Sequence, residues 1–434
     1  MNRISDPPFI LCPRCGKKSF GVSEVLSDHY LRKCNQCFYP DSERNEPEVC
    51  YILPHLSKRI IYIDQFALSY MVRALHPDMK ATGNNHADHF WVQLYQKLDK
   101  LIRMQIIICP QSNFHFQESL VSNFFEPLER MYHLLSRDSK FIDQYRIRKF
   151  QIENSVRNWV RGLSGHSMVD NLKSVIDRDI DIWLPRKITF SPSHYPQTYE
   201  VQLRESRERI HRQWIQEFNI WKEHSDAKFE QWMEDFYLSL VKEILHSYPD
   251  CLRYIIRLPA QQIHHTDLCQ FLLESMDPIQ LMHSVFKEEG ITYNDLWLNT
   301  WQYLQSDSFR QIPFIKLYAL FYASFARKAG SGQKKPPDRG MTNDLNVLSL
   351  LLPYCDAMFI DNQCRSCLEE KDVQSRIDYS TRVFSLSSKE DFLAYLEQLE
   401  TEFPPKYRKE VEDLYGIQWI NTPTQLYWKE RSGK

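Results

Sequence analysis

This 434-residue chain contains no run of 18 apolar residues, so no transmembrane helix is expected. The start, Met1-Asn2-Arg3-Ile4-Ser5-Asp6, lacks the apolar region of a signal peptide. Glycine is scarce, at 11 residues, and no Gly-rich phosphate-binding motif or serine-hydrolase signature is present. No internal repeat is evident. Charge of one sign is lacking too. The net formal charge of −2 excludes a global nucleic-acid footprint and leaves that role to local basic patches. What the chain does have is an ordinary globular balance, 43% hydrophobic and 25% charged, with 13% aromatics that suit helices packed around bulky cores. Its length predicts two or three domains.

The 11 cysteines are too dilute for a small secreted scaffold, and their pairing points to metal in a reducing cytoplasm. Cys12-Pro13-Arg14-Cys15-Gly16 and Cys34-Asn35-Gln36-Cys37 are two Cys-x-x-Cys pairs with 18 residues between them. Each tight knuckle turns two thiolates toward one ion, and two knuckles complete a tetrahedral structural Zn2+ site. Gly16 suits a turn that needs positive φ. Residues 1–50 therefore read as a separate zinc-ribbon-like module, with nucleic acid or a protein as its partner. A third pair, Cys364 and Cys367, has no partner pair nearby and reads as ordinary thiols.

Three apolar runs follow the module. Arg59-Ile60-Ile61-Tyr62-Ile63 ends in Asp64, and Ile106-Ile107-Ile108-Cys109 leads through Pro110 into a helix bearing Glu118. Nearly 300 residues beyond the first run, Asp356-Ala357-Met358-Phe359-Ile360 ends in Asp361, just after a helix opened by Asp344. Helices are expected over 66–72 and His86–Met104, with Ser112 and Asn113 as caps for the Glu118 helix. Residues 55–125 and 335–434 thus form two parts of one α/β domain. Between them, 126–334 reads as a mainly helical insertion. It includes one sustained helical pattern over 203–248 that ends at Pro249, and its aromatic stripes read as core. Residues 327–343 read as a loop with five basic residues against one acid through Gly340. Lys334, Lys335 and Arg339 on it are candidates for holding phosphate without reading sequence. A strand at Arg382–Leu386 and a helix at Ser388–Leu399, with Ser387 and Glu390 in capping-box spacing, complete the domain.

Parallel strands put their C-terminal ends on one edge, where α/β proteins place their sites. Asp64, Glu118, Asp344 and Asp361 would all stand there, and four carboxylates together call for a hard divalent cation. Taken singly, each has a plainer reading: a turn, a surface helix acid, an N-cap beside Asn343, and a turn with Asn362. Asp356, at the other end of its strand, is left out, whereas Asn362 is a further candidate ligand. The pairs His86/His89 and His264/His265 read as surface residues, and Cys109 as core.

In this order and spacing, the residues resemble the PIN-like nuclease family. The strand ending in Asp64 is similar to its first strand and first aspartate. Ile106 through Glu118 is similar to its second strand and following acidic helix, Asp344 through Leu352 to its third acidic helix, and Ala357 through Asn362 to its fourth strand and last aspartate. The resemblance covers under half of the chain. It implies a three-layer α/β/α sandwich around a parallel sheet. It also implies Mg2+ or Mn2+ held by the four carboxylates and hydrolysis of phosphodiester bonds, in single-stranded or structured RNA before DNA. Gln65, where the family often has Thr or Ser, and Phe359, where it often has Thr, mark a divergent branch. The competing class is a non-catalytic scaffold, in which the ribbon and helical block bind nucleic acid or protein partners. No membrane partner is expected.

Overall fold

The structure is a computed structural model that describes residues 5–76, 85–120, 122, 125–163, 172–184, 197–246 and 277–426. Two four-stranded sheets organise it. The first is antiparallel, in the order of the chain: β1 (Asp6–Leu11), β2 (Lys18–Val25), β3 (His29–Cys34) and β4 (Cys50–Ile52). The second is parallel, in the order β6 (Ile107–Ile108), β5 (Arg59–Ile63), β7 (Ala357–Phe359) and β8 (Arg382–Phe384). The chain moves to one side of β5 for β6 and returns to the other side for β7. The order therefore reverses between β5 and β7, the kind of switch point where open α/β sheets bind ligands.

Strand register explains why these runs are apolar on both faces. Ile61, Tyr62 and Ile63 pair with Ala357, Met358 and Phe359. Alternate side chains leave on opposite faces. Ile60, Tyr62, Met358 and Ile360 enter one core, and Ile61, Ile63, Ala357 and Phe359 enter another. Helices cover both sides, so the sheet is the middle of three layers. The second core is closed by α1 (Gln65–Leu75), α2 (Asn85–Arg103), α4 (Phe125–Ser136) and the C-terminal helices Lys389–Glu402 and Pro405–Tyr415. Phe359 lies in it against Phe66, Trp91 and Phe392, so its ring is spent on packing.

The first core is built by the long middle of the chain. Helix Pro313–Gly330 is buried along most of its length and receives α5 (Gln144–Val160), α6 (Gln197–Glu223) and α7 (Phe229–His246). Its Tyr322 meets Trp221 and Trp232 edge-on, at 5.2 and 6.4 Å. The tryptophan stripes of α6 and α7 are core, as their spacing predicts. Apolar residues of 126–334 are continuous with Ile60 and Met358, in one hydrophobic cluster with that face of the sheet.

Several expectations are corrected. The sustained helix over 203–248 is two helices broken at 224–228, since only a hairpin lets both stripes face helix Pro313–Gly330. The turn at Ser225 packs on Gly330, where an added Cβ would lie 3.1 Å from the Ser225 Cα. Pro249 and the pair His264/His265 lie outside the described residues, as does the side chain of His86; His89 is exposed. The basic loop starts later than expected, because helix Pro313–Gly330 runs on through Arg327 and Lys328. These two cations pair with Glu370 and Asp372. Helix Met341–Leu351 starts before Asp344, so Asp344 sits in its first turn and is not its cap. The capping box belongs to Ser385 and Ser388, on a short 3-10 turn before helix Lys389–Glu402, and not to Ser387 and Glu390.

The antiparallel sheet docks on the rest of the molecule. Val22 and Tyr30 join the core closed by helix Pro405–Tyr415. Buried Arg32 donates to the Asp413 carbonyl at 2.7 Å and to the Pro8 and Phe20 carbonyls. Among the described residues, no helix is long and apolar enough to cross a membrane.

Candidate metal centres

Cys12, Cys15, Cys34 and Cys37 converge, their sulfurs all within 4.8 Å of one another. Cys12 and Cys37 stand 3.6 Å apart, and Cys15 and Cys34 stand 3.8 Å apart. A tetrahedron with ~2.3 Å metal–sulfur bonds has edges of ~3.8 Å, so the set could hold a metal such as zinc. Gly16 takes φ +68° directly after the first knuckle, as that turn requires. Burial opposes ionisation of Cys34, but the Ser19 hydroxyl and the Cys37 and Gln36 amides outweigh it and bring its thiol down to about 6. That environment suits a thiolate ligand.

The carboxylates stand at the C-terminal edge of the parallel sheet. Asp64 follows β5 and caps α1, its Oδ1 accepting from the Phe66 amide at 3.1 Å. Asp361 follows the neighbouring β7 and caps helix Asn362–Leu368, its Oδ1 accepting from the Gln363 and Cys364 amides at 2.6 and 3.0 Å. The cap and the ligand readings of Asp361 are compatible because a carboxylate has two oxygens. Its Oδ2 is buried with no hydrogen-bond partner, as an atom reserved for a cation would be. Glu118, on α3 (Asn113–Leu120), accepts at 3.1 Å from the Asn343 amide group, which ties it to Asp344 on the next residue. Asp344, Asp361 and Cys364 place ligand atoms within 4.8 Å of one another.

Coupling by charge links all four acids. Burial and then the Glu118 charge push Asp64 well above the usual carboxylate range. Asp344 is likewise raised, by desolvation and then by Asp64, Glu118 and Asp361. Desolvation also raises Glu118, although Asn343 and Arg207 act against it. Like charges that resist ionising together are the pattern a divalent cation relieves. The converging donors are carboxylate oxygens of Asp344 and Asp361 with the Cys364 sulfur beside them, and the oxygens could hold a hard divalent cation.

The surrounding residues position this edge. Buried His115 is held neutral, its pKa brought down by burial to about 3. Its Nδ1 accepts from the Ser112 amide and its Nε2 lies 2.9 Å from the Ile63 carbonyl, beside Asp64. Gln65 donates to Ser119 at 3.2 Å, which joins the residue after Asp64 to the residue after Glu118. Asp356 binds Arg59 and the Ile60 amide at the opposite end of the strands, outside the cluster. Asn362 is exposed and accepts from the Ser387 amide, so it is turned away from a ligand role. Lys334 and Lys335 are exposed on the loop, and Arg339 pairs with Glu208 of α6 at 2.8 Å.

Two neighbours escape sequence reasoning. Cys364 is legible only as half of an unpartnered Cys-x-x-Cys, yet its sulfur stands with Asp344 and Asp361. Arg207, one of several arginines on α6, interacts electrostatically with Glu118 and Asp344. No family model, curated protein or solved structure matches the chain.

Proposed function

We propose that this protein is a metal-dependent nuclease, a divergent PIN-like enzyme that hydrolyses phosphodiester bonds in RNA in preference to DNA. The observation that carries this reading is the convergence of Asp344 and Asp361 at the switch point of a parallel sheet, with Asp64 and Glu118 coupled to them by charge and an unpartnered Asp361 oxygen among them. Asp361 and Asp344 would bind Mg2+ or Mn2+ directly, with Asp64 and Glu118 completing the negative shell. The cation, when bound, supplies a nucleophilic water and charge compensation at the leaving oxygen. The protein's own part is orientation. Asp64 and Asp361 are fixed by their helix caps, Glu118 by Asn343, and the β5 end by His115. No side-chain nucleophile is required. The four cysteines fit a structural Zn2+, which would hold the antiparallel sheet together and leave catalysis to the other edge.

The test is cleavage of single-stranded RNA and DNA with Mg2+, with Mn2+ and with EDTA. Wild-type protein should cut RNA only with metal, and Asp64→Asn should abolish cleavage without changing the fold. Activity at wild-type level in Asp64→Asn would sink the proposal. A wild-type protein with neither bound metal nor cleavage would favour the scaffold alternative.

A further inference from the structure

The carboxylate edge has a cationic neighbour that comes from the middle of the chain. Arg207 lies on α6, whose placement over this edge is fixed at three points. Trp214 Nε1 donates at 2.8 Å to Thr342 Oγ1, two residues before Asp344. Glu208, beside Arg207, takes Arg339 from the loop that leads into the same helix. Further along, Trp221 packs on Tyr322. These contacts hold the stretch of α6 that carries Arg207 beside the helix of Asp344.

Arg207 also has unused capacity. Its Nε and Nη2 are buried without a hydrogen-bond partner. It interacts with Glu118 and Asp344 through charge but makes no hydrogen bond to either. One turn on, His211 leaves its Nδ1 buried and unpartnered as well. Buried polar groups are normally satisfied, and a guanidinium is a planar fork of donors matched to phosphate. A cation held beside Glu118 and Asp344, yet hydrogen-bonded to neither, is placed for an anion that arrives with the metal.

We propose that Arg207, supported by His211, binds a non-bridging oxygen of the phosphodiester backbone of single-stranded RNA at the carboxylate centre. The inference rests on the nuclease reading and names its phosphate-positioning residue. The inserted helices then contribute to the site itself. Lys334 and Lys335 would hold flanking phosphates, whereas Arg207 would hold the one presented to the metal.

The experiment compares wild type, Arg207→Ala and Arg207→Lys. Binding of a fluorescein-labelled single-stranded oligoribonucleotide is followed by anisotropy in Ca2+ across a salt series, and its cleavage is followed in Mn2+. Arg207→Ala should lose at least about tenfold in affinity, as expected when a charged hydrogen-bond donor is removed. Its log–log salt slope should shrink by roughly 0.7, one single-strand phosphate contact. Arg207→Lys should recover part of the affinity, because a point charge replaces the fork. Wild-type binding and cleavage in Arg207→Ala would overturn the inference and leave the nuclease reading standing, as would a lower melting temperature in EDTA with binding unchanged. Wild-type protein that binds no oligonucleotide would also overturn it. Conversely, Arg207-dependent binding without cleavage in any metal would support the phosphate site and count against the nuclease.

Discussion

A carboxylate that caps a helix with one oxygen and faces a charge cluster with the other has two duties, and Asp361 performs both. Replacing one acid of the cluster should therefore stabilise the metal-free protein. Asp344→Asn removes the charge repelled by Asp64, Glu118 and Asp361, and it does not disturb a cap. Its melting temperature in EDTA should exceed that of wild type, while its rise on adding Mn2+ should be smaller. The pH dependence follows the same logic. The folded-state pKa values of Asp64, Glu118 and Asp344 lie above the unfolded values of about 4, so the folded state binds more protons in between. Stability in EDTA should fall as pH rises from about 4 through those raised values. His115 acts oppositely: held neutral down to about 3, it costs stability as pH falls below about 6.5, where the unfolded imidazole protonates. Added Mn2+ acts on the carboxylates, so the difference between melting curves with and without Mn2+, both recorded without chelator so that the cysteine site is undisturbed, isolates them. A difference that does not grow with pH would contradict this account.

At the scale of elements, the strands were legible because β5 and β7 are buried on both faces and read as unbroken apolar runs. Their terminal acids could be named for the same reason: Asp64 and Asp361 interrupt those runs where the strands end. The four cysteines were legible through spacing, which is a local property. The break at 224–228 was not, because periodicity continues across it and only the position of helix Pro313–Gly330 demands the turn. Arg207 was hidden for a related reason: nothing within α6 distinguishes it from Arg204 or Arg209, and only tertiary placement brings it to Glu118. The antiparallel sheet reads as a separate module in sequence, yet Arg32, Val22 and Tyr30 tie it to helix Pro405–Tyr415. Cys34→Ser should therefore release zinc and also lower the melting temperature of the whole protein. Bound zinc measured by elemental analysis should fall from about one equivalent per chain in wild type. Zinc-free wild-type protein purified without chelator would refute the assignment.

For the whole molecule, the nuclease reading makes grip and chemistry separable, since the exposed lysines lie on the loop and the acids on the sheet edge. Replacing Lys334, Lys335 and Arg339 with Ala should weaken RNA binding and flatten its salt dependence. The cleavage rate at saturating substrate should change far less. Arg339 contributes in a second way, because its loss also frees Glu208 of α6. Lys334→Ala with Lys335→Ala alone should thus reproduce most of the binding loss if phosphate contact is the cause. A rate loss as large as that of Asp64→Asn would place the loop in the chemistry instead.

The pairing of β5 with β7 joins segments nearly 300 residues apart, and this separation has a consequence in time. At ribosomal speeds of about 5–20 residues per second, Asp361 is made roughly 15–60 s after Asp64. Throughout that interval the nascent chain holds only part of the acidic edge, between one and three of its four carboxylates. Any polypeptide that stops short of Asp361 lacks part of the proposed centre, while the four cysteines that could hold zinc are already present. Chains released from the ribosome at residue 340 and at full length should differ in Mn2+ binding but not in Zn2+ content.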